Sequence, residues 1–205
     1  MIISTSSVKG EGKSFVALNI SLALSSLDKK VLLIGADLRN PQLHKYLETD
    51  KSIQGLTSYL HNTNFDWQSA VINKFENLPH HHTLLTGIIP PNATQLLANG
   101  NFEKIISQAK KDYDYIVIDT APTLLVTDTL LISHLADAML FICRSNFTEK
   151  EILNYPKELI KDDKIKNVGI VLNSVGINAR YHYGYSYKYG YSYNYGYGYG
   201  YGNTN

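Results

Sequence analysis

A single cysteine, Cys143, excludes any disulfide framework within one chain of 205 residues. It lies in the apolar run Leu140-Phe141-Ile142-Cys143, where a thiol behaves as a small buried hydrophobe. No apolar stretch approaches the roughly 18 residues needed to cross a bilayer, and the first residues lack the charged-then-apolar order of a secretion signal. Neither charge is in excess: 19 Lys and Arg against 18 Asp and Glu leave a formal charge of +1. That balance supplies no electrostatic term for anionic lipid or nucleic acid, and the expectation is no nucleic-acid partner. Together these absences predict a soluble domain in the cytoplasm.

What the chain does have is ordinary material for a core, with 44% hydrophobic residues, and an alternation of apolar runs with amphipathic stretches. Short runs rich in Ile, Leu and Val predict strands at 1–5, 31–34, 84–85, 115–118, 138–143 and 168–172. Helices are expected at 13–27, 42–47, 102–111, 128–135 and 149–160, the last kinked at Pro156. Segment 87–92, Gly-Ile-Ile-Pro-Pro-Asn, reads as an extended loop at the rim of a site. The fold class is α/β: a mostly parallel sheet with helices on both faces. A domain at 1–180 and a tail at 181–205 are the expected divisions, because composition changes abruptly after Arg180 to Tyr, Gly, Ser and Asn.

The densest chemistry follows the first strand. Ser7-Val8-Lys9-Gly10-Glu11-Gly12-Lys13-Ser14 leads into a helix, the context a phosphate-cradling loop requires. Gly10 and Gly12 let the backbone turn its N–H groups toward phosphate oxygens, and the helix start adds a favourable dipole. Lys13 is placed to reach the β and γ phosphates of ATP, and the Ser14 hydroxyl to ligate Mg2+. Gly10, Glu11, Gly12, Lys13, Ser14 and Phe15 are therefore the expected nucleotide contacts. The loop is a deviant one, since Ser7 stands where the usual pattern has its first glycine.

Two further strands end in acids. Val31-Leu32-Leu33-Ile34-Gly35-Ala36-Asp37-Leu38-Arg39 delivers Asp37 and Arg39, and Tyr115-Ile116-Val117-Ile118-Asp119-Thr120-Ala121-Pro122 delivers Asp119. The carboxyl edge of a parallel sheet is where ligands bind. Ser14, Asp37 and Asp119 are the expected metal set, and Lys13, Asp37, Asp119 and Arg39 the expected catalytic set. Asp37 either organises the metal or accepts a hydroxyl proton.

These residues resemble the bacterial tyrosine kinases of capsule and exopolysaccharide systems, whose catalytic domains descend from P-loop ATPases. The resemblance rests on Gly10-Glu11-Gly12-Lys13-Ser14, Ala36-Asp37-Leu38-Arg39, Ile118-Asp119-Thr120-Ala121-Pro122, Pro90-Pro91-Asn92 and a C-terminal tyrosine cluster. It implies a P-loop NTPase-like fold and autophosphorylation of the tail between protomers of a homo-oligomer. It also implies control of polysaccharide polymerisation and export through a fused or separate membrane partner at the inner face of the membrane, and reversal by a cognate tyrosine phosphatase. By the same resemblance, Asn173 occupies the position at which related ATPases contact adenine. Gly35 stands where the family usually has an aspartate, which removes one candidate base, and Lys9 where it often has proline.

Of the 16 tyrosines, 11 fall in the tail, at Tyr181, Tyr183, Tyr185, Tyr187, Tyr189, Tyr191, Tyr193, Tyr195, Tyr197, Tyr199 and Tyr201. They are the expected phosphoacceptors. Without aliphatic neighbours the segment has nothing with which to build a core and is expected to be disordered; a tyrosine-faced strand or stacked self-association is the alternative. Two other functions share the nucleotide loop: an ATP-driven dimerisation switch like the partitioning and division-site ATPases, and an ATP-binding adaptor with a phosphorylatable tail. The switch proteins carry a lysine where this chain has Val8. Elsewhere, His80-His81-His82 reads as a solvated loop, Thr127-Asp128 as a helix cap, and Trp67 as packing.

Overall fold

The computed structural model describes residues 1–50, 53–124 and 126–176. Its strands are β1 (Ile2–Ser6), β2 (Val31–Gly35), β3 (Val71–Ile72), β4 (His81–Leu84), β5 (Tyr115–Asp119), β6 (Ala138–Arg144) and β7 (Val168–Asn173). Its α-helices are α1 (Lys13–Ser25), α2 (Leu43–Tyr46), α3 (Leu56–His61), α4 (Ala93–Ala98), α5 (Asn101–Ala109), α6 (Asp128–Ile132) and α7 (Asn154–Lys161). The sheet order is β3-β4-β2-β5-β1-β6-β7, parallel throughout except for the β3–β4 pair. Met1–Val175 forms one compact unit, and the expected boundary at 180, like the eleven tail tyrosines from Tyr181 to Tyr201, lies outside the described residues.

Alternation along the strands explains how one sheet carries two cores. Leu32 and Ile34 face one side with Ile3, Ile116, Ile118 and Met139, under α3, α4 and α5. Val31, Leu33 and Val117 face the other, under Ala17 and Leu18 of α1 and Leu43 of α2. Because both faces are covered, β2 is buried at every position, which is why it reads as an unbroken apolar run. The strand ends fall in register: Gly35 lies beside Asp119, and Asp119 beside Ser4. This alignment brings the ends of β1, β2 and β5 to a single edge.

Several local expectations are corrected. The helix foreseen at 149–160 is a 3-10 turn, Lys150–Leu153, followed by α7. Pro156 stands in the first turn of α7, where its missing N–H has no intrahelical acceptor to lose, so no mid-helix kink is required. The helix at 128–135 likewise divides into α6 and a 3-10 turn, Ser133–Leu135. β3, α3 and α4 were not foreseen, each being too short to show a period. The loop at 87–92 is present, and Trp67 is buried with its indole N–H donating to Gln108 Oε1 at 2.7 Å.

Of the histidine triplet only His80 lies in a turn, where it is partly exposed. His81 and His82 open β4 and point to opposite faces of the sheet. His81 is fully buried against Ser21 of α1, with Nε2 and Oγ 2.8 Å apart. Ser21 donates its own hydrogen to the Leu18 carbonyl at 2.7 Å, so the hydrogen-bond network assigns the His81 proton to Nε2. Burial, with His82 adding to it, pushes His81 down from 6.5 to about 4.

The folded value lies below the unfolded one. The contribution of neutral His81 to stability is therefore complete above about 6.5 and is lost as the pH falls toward about 4. The expected loss across that window is roughly 3 kcal/mol. Urea unfolding at pH 7.5 and pH 4.5 should show it in the unaltered chain, and His81→Leu should remove that component of the acid-side decline.

Candidate nucleotide and phosphoryl-transfer site

The phosphate loop leaves β1 and enters α1 through two residues in the left-handed region, Gly10 at φ +95° and Gly12 at φ +97°. At Gly12 the requirement is also steric, because a Cβ would lie 2.0 Å from Asn173 Nδ2. No side chain caps the start of α1 and its first turn carries no acid. Its free N–H groups and dipole face a cavity of about 350 Å³ lined by Lys9, Gly10, Gly12, Lys13, Ser14, Asp37, Arg39, Asn40, Gln42, Tyr46, Ala121, Pro122 and Val126. That is the arrangement an anionic ligand needs.

Lys13 links Asp37, which lines the cavity, to Asp119, which is buried beside it. Its Nζ lies 3.0 Å from Asp37 Oδ2, 4.0 Å from Asp119 Oδ1 and 3.4 Å from Ser14 Oγ. Burial opposes its charge, yet Asp119 and Asp37 outweigh that and hold Lys13 above its usual range. Asp37 Oδ1 accepts the Asn40 N–H at 2.9 Å, which fixes the carboxylate at the end of β2. Asp119 is 1% exposed, and its Oδ1 has no hydrogen-bond partner. Burial raises Asp119 to about 6, with Lys13 and the Ser14 hydroxyl pulling the other way and Asp37 adding to the rise.

One buried lysine thus faces two carboxylates, and an acceptor oxygen is left over. This donor set of hard oxygens, Ser14 Oγ with Asp37 and Asp119, fits a divalent cation that also takes phosphate and water. Among the described residues no group of three or more His, Cys, Asp or Glu side chains could hold a metal alone. A cation here would depend on the ligand for part of its shell.

Arg39 pairs with Asp128 rather than with Asp37. Its Nε donates to Asp128 Oδ2 at 2.6 Å and its Nη2 to Thr94 Oγ1 at 2.7 Å, so the guanidinium is held at the cavity wall by α4 and α6. Phe15 is half exposed beside Tyr46, ring centroids 6.4 Å apart. Asn173 reaches the loop through its amide, which donates to the Glu11 carbonyl at 3.0 Å. The Glu11 side chain is buried away from the cavity, and residues 87–92 do not line it.

Sequence reasoning missed Asp128, read only as a cap partner. Thr127 makes no side-chain cap, and Asp128 is 2% exposed as the anchor of Arg39. A pair 89 positions apart leaves no local signal, and an acid at a helix start has an ordinary local explanation. Thr148 and Arg144, which hold the loop from behind, were missed for the same reason.

Comparison with known proteins decides the family. Residues 1–149 match the family model described as AAA domain. The chain is 34% identical over 175 residues to Tyrosine-protein kinase CpsD of Streptococcus agalactiae, covering 85% of this chain and 74% of that protein. It is 35% identical over 172 residues to Tyrosine-protein kinase YwqD of Bacillus subtilis, covering 84% and 71%. The chain belongs to the bacterial tyrosine-protein kinase family.

The solved structure of the chimerical protein CapA2B2 superposes with a TM-score of 0.76 at 30% identity, covering 83% of this chain and 74% of that one. The mostly parallel P-loop sheet is thus the family's, and nucleotide use comes with it. Gly35, at the end of β2, is tightly packed. A Cβ there would meet Thr86 Oγ1 at 3.0 Å and Thr86 N at 3.2 Å, while Thr86 Oγ1 donates to the Gly35 carbonyl at 2.8 Å. A side chain at 35 requires Thr86 to move.

Gly12→Ala should therefore act twice. Forcing a Cβ into the left-handed conformation against Asn173 is expected to cost about 2–3 kcal/mol and to displace the loop. A lowered thermal midpoint together with weaker nucleotide binding, measured by calorimetry, is the expected result.

Proposed function

We propose that this chain transfers the γ-phosphoryl group of ATP to tyrosine hydroxyls, its own tail tyrosines among them. The observation that carries the proposal is the meeting of Lys13, Asp37 and Asp119 at the start of α1, in a chain of the tyrosine-kinase family: Lys13 and Asp37 line the cavity, and Asp119 is buried 4.0 Å from the lysine. The triphosphate would lie against the loop amides of Gly10 to Ser14, with Asn173 on the side of the base. Lys13 would exchange Asp37 for β and γ phosphate oxygens. Ser14, Asp37 and Asp119 are the residues that would hold Mg2+, which supplies charge neutralisation across those oxygens when bound.

In the transfer itself, the tyrosine oxygen bonds to the γ-phosphorus as the bond to the β–γ bridging oxygen breaks, leaving ADP. The phenol proton passes to a carboxylate, and Asp37, which lines the cavity beside Lys13, would be the acceptor. Arg39, fixed on Asp128, would present positive charge at the wall. Because Gly35 offers no carboxylate, Asp37 and Asp119 carry all the acidic chemistry of the two strand ends.

Tyr181 to Tyr201 would be the acceptors. A tail of about 25 residues extends up to roughly 80 Å, enough to enter the site of a neighbouring protomer. Each phosphate adds about −1.5 to −2 charges, so a few make a nearly neutral chain strongly anionic and would separate protomers. In this reading the protein works at the cytoplasmic face of the membrane with a membrane-embedded co-polymerase region or activator. It regulates capsule or exopolysaccharide polymerisation and export, and a tyrosine phosphatase resets it. No helix among the described residues is long and apolar enough to cross a membrane.

Incubation with Mg-ATP followed by phosphotyrosine detection should label the intact chain. Lys13→Met should reduce labelling at least about 100-fold, and replacement of the eleven tail tyrosines by phenylalanine should remove most of it. Hydrolysis without labelling, with the activator present, would instead favour the dimerisation switch. Neither activity would favour the adaptor. Sedimentation should differ between phosphorylated and unphosphorylated protein.

A further inference from the structure

Between residues 9 and 14, Glu11 alone contributes nothing to the cavity wall. Its side chain runs beneath the loop and is 1% exposed. Oε2 accepts the Val8 N–H at 2.9 Å, and Oε1 accepts the hydroxyl of Thr148. Thr148 Oγ1 in turn accepts the Arg144 N–H at 2.8 Å, while the Arg144 guanidinium donates to the Gly10 carbonyl at 3.1 Å. The Glu11 carbonyl is held separately by Asn173. The loop is thus tied at Val8, Gly10 and Glu11 to the turn after β6 and to the end of β7.

Electrostatics alone would argue against this residue. A carboxylate sealed under a loop whose amides must receive a polyanion works against the ligand, and its surroundings are low in dielectric. Its presence is felt nearby: burial first, and Glu11 second, hold the Cys143 thiol above its usual range. What the carboxylate provides is geometry. Two oxygens satisfy one backbone donor within the loop and one side-chain donor outside it, and neither bond faces the cavity.

We infer that Glu11 is a positioning residue: through Val8 and Thr148 it holds the phosphate loop in its ligand-binding shape and sets nucleotide affinity rather than the rate of transfer. This rests on the nucleotide reading of the cavity, and is independent of which tyrosine accepts the phosphoryl group. It also means that the turn at 145–148, distant in sequence, reports directly on the loop.

The test is binding of a fluorescent ATP analogue with Mg2+ to the full chain, alongside phosphotyrosine formation at saturating ATP. Glu11→Gln and Thr148→Val should each raise Kd about 10-fold and leave the saturated rate within about 3-fold. Thr148→Ser, which keeps the hydroxyl, should stay within about 2-fold of the unaltered chain. The double variant Glu11→Gln/Thr148→Val should lose less than the product of the two single effects, because Glu11 and Thr148 act through one connected set of bonds. Should Glu11→Gln fail to fold, the Val and Ser variants at Thr148 carry the comparison.

Unchanged Kd in Glu11→Gln and Thr148→Val, equal losses in Thr148→Val and Thr148→Ser, or a fall in rate with Kd unchanged overturns the inference. Failure of the unaltered chain to bind the analogue overturns the nucleotide reading beneath it. Binding by the unaltered chain with indifferent variants overturns this inference alone.

Discussion

The arrangement around Lys13 is the constraint on which the rest depends. One ammonium group, largely buried, is shared between Asp37 and Asp119, and the cluster is left with an excess of negative charge. A buried ion pair contributes little to stability once desolvation is counted, so this cluster is poorly explained as a structural device. It fits the proposed site for a cation and a polyanion together. Burial, with Asp37 adding to it, holds Asp119 above the usual carboxylate range, and its Oδ1 has no hydrogen-bond partner among the described residues.

The sheet exists, in this view, to bring the three groups together. Parallel pairing of β1 with β5 and of β5 with β2 places three strand ends in one row, and each end releases a functional residue as it leaves the core. The two apolar layers fix the strands' relative heights, so the register that sets the ion-pair distances is itself set by packing. Around this row, longer-range contacts finish the shape. Asp128 holds Arg39, Asn40 holds Asp37, and the turn after β6 holds the phosphate loop through Glu11.

Much of this was legible before any coordinates. The five-residue strand β2 and the Gly-Lys-Ser loop announce themselves because their residue types have few other uses: an unbroken apolar run means two covered faces, and paired glycines before a lysine mean close backbone approach. The convergence of Lys13, Asp37 and Asp119 at one sheet edge follows from motif order and parallel topology. What stayed hidden was long-range or had an ordinary local reading. His81 looked like part of a polar run, yet its neighbours in space are Ser21 and Phe75, and β4 pairs through it. Asp128 looked like a cap, and the Glu11 side chain like a nucleotide contact, because Arg39 and Thr148 lie far along the chain from them.

The most direct test is a crystal structure with Mg2+ and a non-hydrolysable ATP analogue. The account expects the triphosphate in the cavity at the start of α1, Lys13 Nζ moved from Asp37 onto phosphate oxygens, and the metal beside Ser14 with Asp37 and Asp119 in or next to its shell. A nucleotide seated elsewhere, or a metal remote from both carboxylates while Lys13 still pairs with Asp37, would contradict it.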